Sequence, residues 1–396
     1  MRKTFERNYV LKFTKRLEKI PPYPFKKLDE MKAEAAGRGM DIISLGVGDP
    51  DLPTPQKIID TLCKEAANPA NHQYPSYEGM LVFRETAVEW MEKRFGVKLD
   101  PEKEIVSLIG SKEGIAHIYP AFVQLGDISL VPEPAYPVYH AATVMADGTP
   151  FVLPLKKRNG FLPDFDAIPK EALNKSRIMF LNYPNNPTAA TASLEFFERA
   201  VAVAKEHDIV LCHDAAYSEL TFDDYVAPSI LQVDGAMDCA VEFHSLSKTF
   251  CMTGWRVGFA VGNKHIIEGL SKMKTNIDSG LFQAIQYAGI TAMKDCEDET
   301  EQIRETFRER RDTLVAGLKS LGWKVETPKA TFYLWVPVPT DESSLDFCSR
   351  SINDTGVIIT PGIGFGREGE GFFRIAYTKT KEKLEEAVEK LGKLKI

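Results

Sequence analysis

The chain has 396 residues, enough for two domains or a large domain with a smaller companion. A hydrophobic fraction of 44% and a charged fraction of 27% are globular values, which excludes a disordered chain, and no apolar run approaches a membrane span. The formal net charge of −7 argues against a nucleic-acid partner, which needs a basic surplus.

The basic opening Met1-Arg2-Lys3 has no apolar core behind it and reads as a helical arm rather than a secretion signal. Pro21-Pro22-Tyr23-Pro24 breaks that arm and marks a linker. Residues 42–45 form a short buried strand that runs into the turn Gly46-Val47-Gly48-Asp49-Pro50. From about 55 to 290, β-branched apolar runs alternate with amphipathic stretches, and 105–109, 128–131, 178–181, 209–212 and 240–243 read as strands. Such alternation implies an α/β fold with a mostly parallel sheet and ligands at the carboxyl ends of its strands. A charged helix over 295–321 leads out of this unit. The runs 323–326, 332–336 and 372–375 then suggest a smaller α+β unit. The expected division is 1–47 as an arm and part of the small domain, 48–290 as the large domain, and 291–396 as the small one. Six cysteines without a C-x-x-C pair point to reduced thiols in the cytoplasm, with no disulfide frame and no metal site.

The densest chemistry lies in Ser245-Leu246-Ser247-Lys248 and, eight residues on, Arg256. A lysine amine can bond covalently to an aldehyde cofactor, while flanking hydroxyls and a guanidinium fork hold a phosphate. Pyridoxal phosphate (PLP) needs both. Upstream, Gly110-Ser111-Lys112-Glu113 follows a strand and opens a helix, so Ser111 fits either a phosphate contact or an ordinary N-cap. Tyr136, in Pro134-Ala135-Tyr136-Pro137, suits stacking on a pyridine ring and equally suits packing in a core. Asn186 sits in the turn-rich run Asn182-Tyr183-Pro184-Asn185-Asn186-Pro187, where it either donates to a phenolic oxygen or merely shapes a turn. Asp214, in His213-Asp214-Ala215-Ala216-Tyr217, can pair with a pyridinium nitrogen or cap a helix, and Tyr217 can reach the ring's phenolic oxygen or simply pack. His213 and His244 read as packing residues, since no second metal ligand stands at a suitable spacing. Arg374 is a lone charge in an apolar run, which calls for a substrate carboxylate or a structural salt bridge.

The ordered set Gly48, Ser111, Tyr136, Asn186, Asp214, Tyr217, Ser245, Lys248, Arg256 and Arg374 resembles the class I/II aminotransferases of PLP fold type I, across essentially the whole chain. Within them it is most similar to the LL-diaminopimelate branch, through Tyr74-Pro75-Ser76-Tyr77-Glu78-Gly79, Glu242-Phe243-His244-Ser245 and Thr360-Pro361-Gly362-Ile363-Gly364-Phe365-Gly366, among other segments. The resemblance implies that Lys248 bonds the cofactor and later moves the substrate's α-proton, that Asp214 pairs with the ring nitrogen, and that Asn186 and Tyr217 hold the phenolic oxygen. It assigns Ser111, Ser245, Ser247 and Arg256 to the phosphate, with Lys112 nearby, and Tyr136 to the ring face. Gly48 and Arg374 fall to the substrate carboxylate. It also implies a homodimer in which Tyr23 and Tyr74 serve the neighbouring site, with amino-acid and 2-oxo-acid substrates. Aminotransferases for alanine, aspartate or aromatic substrates, a PLP-dependent C–S β-lyase and a PLP-binding regulator are the rivals. One departure is Ala189, where many relatives carry glycine; alanine tolerates a positive φ poorly, so a different local turn is expected.

Overall fold

The computed structural model describes residues 11–20, 31–35 and 37–395. Strands are numbered in chain order. β2 (Ile105–Leu108), β3 (Ile128–Glu133), β4 (Thr149–Pro154), β5 (Ser176–Asn182), β6 (Val210–Asp214), β7 (Ala240–Ser245) and β8 (Gly258–Gly262) form one sheet in the order β2-β8-β7-β6-β5-β3-β4. From β7 to β4 the strands are parallel, and β8 runs antiparallel to both of its neighbours. The central strands β7 and β8 are buried on both faces, and so is every residue of β2 at the edge. Leu130, Met179, Leu181 and Leu211 enter the core on one face, while Val131, Ile178, Phe180 and Phe243 enter the core on the other.

β1 (Ile43–Ser44) pairs in parallel with β10 (Val357–Ile358), and β11 (Thr360–Pro361), β12 (Phe372–Ala376) and β9 (Tyr333–Pro337) form an antiparallel sheet. A third core gathers Leu45, Phe307, Phe332, Phe373 and Leu384 around these strands. Two strands of the large sheet, β4 and β8, are not among those expected from the sequence, for simple reasons. β4 carries Pro150 and Pro154 and is only partly buried, and β8 is bracketed by Gly258 and Gly262, so neither shows a clear apolar run. Residues 323–326, expected as a strand, form none; Trp323 instead packs its ring on Phe347 and Phe373. The expected helix over 295–321 is Glu297–Ser320, which meets a preceding helix, Gln283–Asp295, at Cys296. Its acidic first turn, Glu297-Asp298-Glu299, complements the helix dipole. Further along, Arg310 clasps Asp51 at 2.5 and 3.2 Å, and Arg311 clasps Asp223 at 2.5 and 3.0 Å.

The loop after β5 corrects one expectation. Ala189 adopts φ +57° and so keeps the left-handed conformation that alanine disfavours. The surrounding bonds impose it: Ala189 N donates to Asn185 O at 2.9 Å, Asn185 N to Ala190 O at 2.9 Å, and the Thr188 hydroxyl to Asn185 Oδ1 at 2.7 Å. Ala189→Gly should therefore stabilise the protein by about 0.5–1 kcal/mol in denaturant unfolding, the left-handed penalty less glycine's extra chain entropy. A loss of stability would show that the loop is not strained at this position.

Candidate active site

The parallel strands end on one edge of the sheet, and the turns that follow them converge on a cavity of about 500 Å³. β7 passes directly into the short helix Leu246–Thr249, whose first turn is capped by Ser245 Oγ accepting from Ser247 N at 3.3 Å. Lys248 lies in that turn and sends Nζ into the cavity, 3.3 Å from the Gly48 carbonyl. Burial pushes its amine down to about 8; the charges of Arg256 and Arg374 add to this and Asp49 opposes it.

Ser111 is not an N-cap. Gly110 holds that position at φ +74°, and Ser111 is the first residue of the helix Ser111–Phe122, beside the guanidinium of Arg256. A Cβ at Gly110 would strike that guanidinium. Arg256 itself has φ +56° and donates to Thr253 O at 2.9 Å and Ser247 Oγ at 3.4 Å. A strained non-glycine residue at such a convergence is what a binding site can sustain when its surroundings fix the backbone. The hydroxyls of Ser111, Ser245 and Ser247 and the Arg256 fork thus line one end of the cavity, together with two helix N-termini. Lys112 stands beside this end with Nζ 5.6 Å from the Tyr136 ring centre, and burial followed by the Arg256 charge lowers its amine.

Asp214, the last residue of β6, lies on the cavity floor and is only 5% exposed. Its Oδ2 accepts from the Tyr139 hydroxyl at 2.7 Å and its Oδ1 from Ala216 N at 3.3 Å. Burial raises its carboxyl, and the Tyr139 hydrogen bond pulls in the opposite direction. The Asn182 amide pins the strand end by donating to Asp214 O at 2.8 Å. Asn186 is held through its backbone N–H, which donates to Asn182 Oδ1 at 2.9 Å.

The opposite end is built by Arg374 on β12. Its guanidinium donates to Asn186 Oδ1 and to Gly46 O, both at 2.7 Å, and lies 4.2 Å from the ring centre of Tyr333. Tyr333 on β9 also meets Tyr217, hydroxyl to hydroxyl at 2.9 Å. A Cβ at Gly48 would run into that Tyr333 hydroxyl, so glycine is required where the backbone passes this close.

The structure therefore brings Gly48, Ser111, Lys112, Tyr136, Asn186, Asp214, Tyr217, Ser245, Ser247, Lys248, Arg256 and Arg374 to one cavity. Tyr74 is not among them and is 86% exposed; Tyr23 lies outside the described residues. The sequence reading missed Tyr333, Tyr139, Asn182 and Thr253. Asn182 left a trace in the turn-rich run that also holds Asn186, and Tyr139 as a second phenol three residues after Tyr136.

A family model described as aminotransferase class I and II matches residues 40–391. The LL-diaminopimelate aminotransferase of Moorella thermoacetica is 52% identical over 96% of this chain and 97% of its own length. That of Nitratidesulfovibrio vulgaris is 53% identical over 97% of this chain and 100% of its own. Among solved structures, substrate-bound BacF from Bacillus subtilis superposes with a TM-score of 0.93 at 36% identity, covering 97% of this chain and 98% of that one. A match of that extent on so similar a fold makes the chain a member of the class I and II aminotransferases.

Proposed function

We propose that the chain is a PLP-dependent transaminase acting on LL-2,6-diaminopimelate and 2-oxoglutarate, in the reaction that links tetrahydrodipicolinate to LL-diaminopimelate in lysine biosynthesis. The observation that carries the transaminase reading is one cavity lined by a hydroxyl and guanidinium cradle, a buried amine, a buried carboxylate and a second guanidinium. The cradle fits a phosphate dianion, because a Cβ at Gly110 would occupy the space of the Arg256 fork and the serines supply neutral donors around it. A pyridine nitrogen suits Asp214, and an aldehyde suits Lys248. PLP, when bound, supplies the sink for the electron pair left at the substrate α-carbon.

Each residue then has a task of its own. Ser111, Ser245, Ser247 and Arg256 hold the phosphate, with Lys112 adding charge at the rim. Asp214 accepts from the ring nitrogen and keeps it protonated, and Tyr139 fixes which carboxylate oxygen is free to do so. Tyr217 and Asn186 donate to the phenolic oxygen, and Tyr136 covers the ring. Arg374 and the Gly48 backbone orient the α-carboxylate. Lys248 Nζ would hold the cofactor and, once the substrate amine has taken its place there, would be free to accept the proton from the substrate α-carbon; an amine lowered to about 8 has a substantial neutral fraction near neutrality, as a base requires.

The diaminopimelate assignment rests on the names of the most similar curated relatives. A homodimer is supported by an exposed apolar surface: Tyr74, Tyr77, Leu81 and Val82 lie in one segment, and Ile277 and Phe282 in another. The two segments touch where Gly280 faces Ser76 O and where Met80 N donates to Gln286 Oε1 at 2.7 Å. In that dimer Tyr74 reaches the partner's cavity. Six free cysteines accord with the cytoplasm, and no helix of the described residues is long and apolar enough to cross a membrane. We divide the chain into 1–47, 48–290 and 291–396, the first and last sharing the small domain through the β1–β10 pair.

Borohydride reduction of the PLP-loaded protein should fix the pyridoxyl group to Lys248, read by peptide mass spectrometry, whereas a label on another lysine would remove it from its role. In the cofactor-free protein, acylation of Lys248 should rise through pH of about 8, the value to which burial lowers it, well below ordinary lysines at about 10.4. By specificity constant, LL-diaminopimelate should exceed aspartate, alanine and lysine as amino donor to 2-oxoglutarate by at least about 10²-fold, because aspartate and alanine lack the distal amine and lysine lacks the distal carboxylate, which leaves polar partners of that end unpaired. A preference for aspartate or alanine would overturn the substrate, and pyruvate released with a thiol would overturn the reaction class. Mixing Tyr74→Ala and Lys248→Ala subunits should restore activity that neither variant has alone, since one mixed site would be intact; a fully active monomer in sedimentation would contradict the dimer.

A further inference from the structure

Directly behind the cavity floor lies a charged cluster that the proposed chemistry does not use. Glu242 on β7 and His213 on β6 are paired in register and both are 0% exposed. The Glu242 carboxylate is saturated: Oε2 faces His213 Nδ1 at 2.8 Å and accepts from Ile230 N at 2.9 Å, while Oε1 accepts from Ser229 Oγ at 2.8 Å and faces His244 Nε2 at 2.7 Å. The other nitrogen of His213, Nε2, faces the carbonyl of Tyr183 at 2.9 Å. Both nitrogens of this imidazole therefore meet oxygens, and a carbonyl can only accept. If Glu242 is a carboxylate, His213 must donate twice and carry a positive charge. Burial alone would raise the Glu242 carboxyl, but hydrogen bonds from His213 and His244 and their charges bring it below the usual range. The three backbone and side-chain donors other than His213 favour the same ionised form.

We infer that His213 is a positioning residue: a buried imidazolium that joins the strand ends carrying Asn186, Asp214 and Lys248 and sets the charge behind the cavity. Tyr183, which it holds, follows Asn182 in the loop that presents Asn186, and Asn182 in turn binds Asp214 O. Glu242, its partner, stands three residues before Ser245 on the strand that leads into Lys248. Asp214 is the next residue along β6 and points to the opposite face of the sheet, so His213 acts on it through the low-dielectric interior rather than by contact. Its charge is one of the influences that offset the burial of the Asp214 carboxylate. The titratable groups around His213 are Glu242, with His244 across the carboxylate, and Asp214 with Tyr139 beyond it; the helix Leu194–Glu206 contributes only the ring of Phe197, 4.7 Å away.

This inference takes over the roles of Asp214 and Lys248 from the reading above, and the first measurement is independent of them. In the purified full-length protein labelled with ¹⁵N-histidine, with or without added PLP, at pH 7.5, one buried imidazole should show hydrogen on both ring nitrogens. The signal is assigned by its loss in His213→Gln or, if that variant does not fold, by its contacts to the Phe197 ring. A neutral ring with a bare Nδ1 would place the proton on Glu242 and overturn the inference, whatever the substrate. The second measurement is the pH midpoint of the bound cofactor's visible absorbance, which reports proton loss at Lys248 Nζ. In His213→Gln the midpoint should rise by roughly half a pH unit or more, since a nearby positive charge has gone. His213→Gln with Glu242→Gln removes both charges and should return it towards the parent value. An unmoved midpoint in the single variant, or no return in the double, would reduce His213 to packing. Failure to bind PLP at all would instead sink the proposed function and leave the first measurement standing.

Discussion

The contact between Tyr217 and Tyr333 joins the two halves of this molecule at the point where they must be joined. Tyr217 follows β6 of the large sheet, and Tyr333 opens β9 of the small antiparallel one, so their hydroxyls, 2.9 Å apart, bridge the two sheets. The same Tyr333 ring supports the Arg374 guanidinium at 4.2 Å and presses on Gly48, whose carbonyl receives Lys248. One phenol therefore fixes the separation between the amine of Lys248, the guanidinium of Arg374 and the hydroxyl of Tyr217. Reaction geometry on a scale of a few tenths of an ångström depends on such supports more than on the reacting groups themselves.

The large sheet supplies the other half of the precision. Five parallel strands deliver their carboxyl ends to one edge, where the loop after β5, the last residue of β6 and the short helix after β7 supply Asn186, Asp214 and Lys248 in sequence order. Because β5, β6 and β7 are almost wholly buried, their ends cannot shift without moving the core. The ion pairs of Arg310 with Asp51 and Arg311 with Asp223 extend that rigidity along the long helix Glu297–Ser320. Both arginines are almost fully buried, so these links are less open to screening by salt than the many surface pairs elsewhere.

Much of this was legible in the sequence, and the reasons differ by residue. Lys248, Asp214 and Ser111 could be found because each follows an apolar run that can only be a buried strand, and Arg374 because a lone cation inside such a run demands a partner. Tyr333 and Tyr139 could not, because a phenol within an apolar segment reads the same whether its hydroxyl meets water, a core atom or a reacting group. Ala189 misled for a related reason: local propensity disfavours its conformation, and only the hydrogen bonds from Asn185 and Thr188, invisible in one dimension, impose it. The charged array of Glu242 and His213 was hidden by its spacing, since partners 29 residues apart become neighbours only when β6 and β7 pair.

β4 closes the large sheet on one side, and it does so with prolines at both its second and last positions. A proline has no N–H to offer, so this border presents gaps in its outward row of donors. A stray extended chain that tried to dock there would find an interrupted ladder and gain little. The residues that obscured β4 in the sequence are thus the ones that keep a wide, apolar sheet from recruiting further strands at that border.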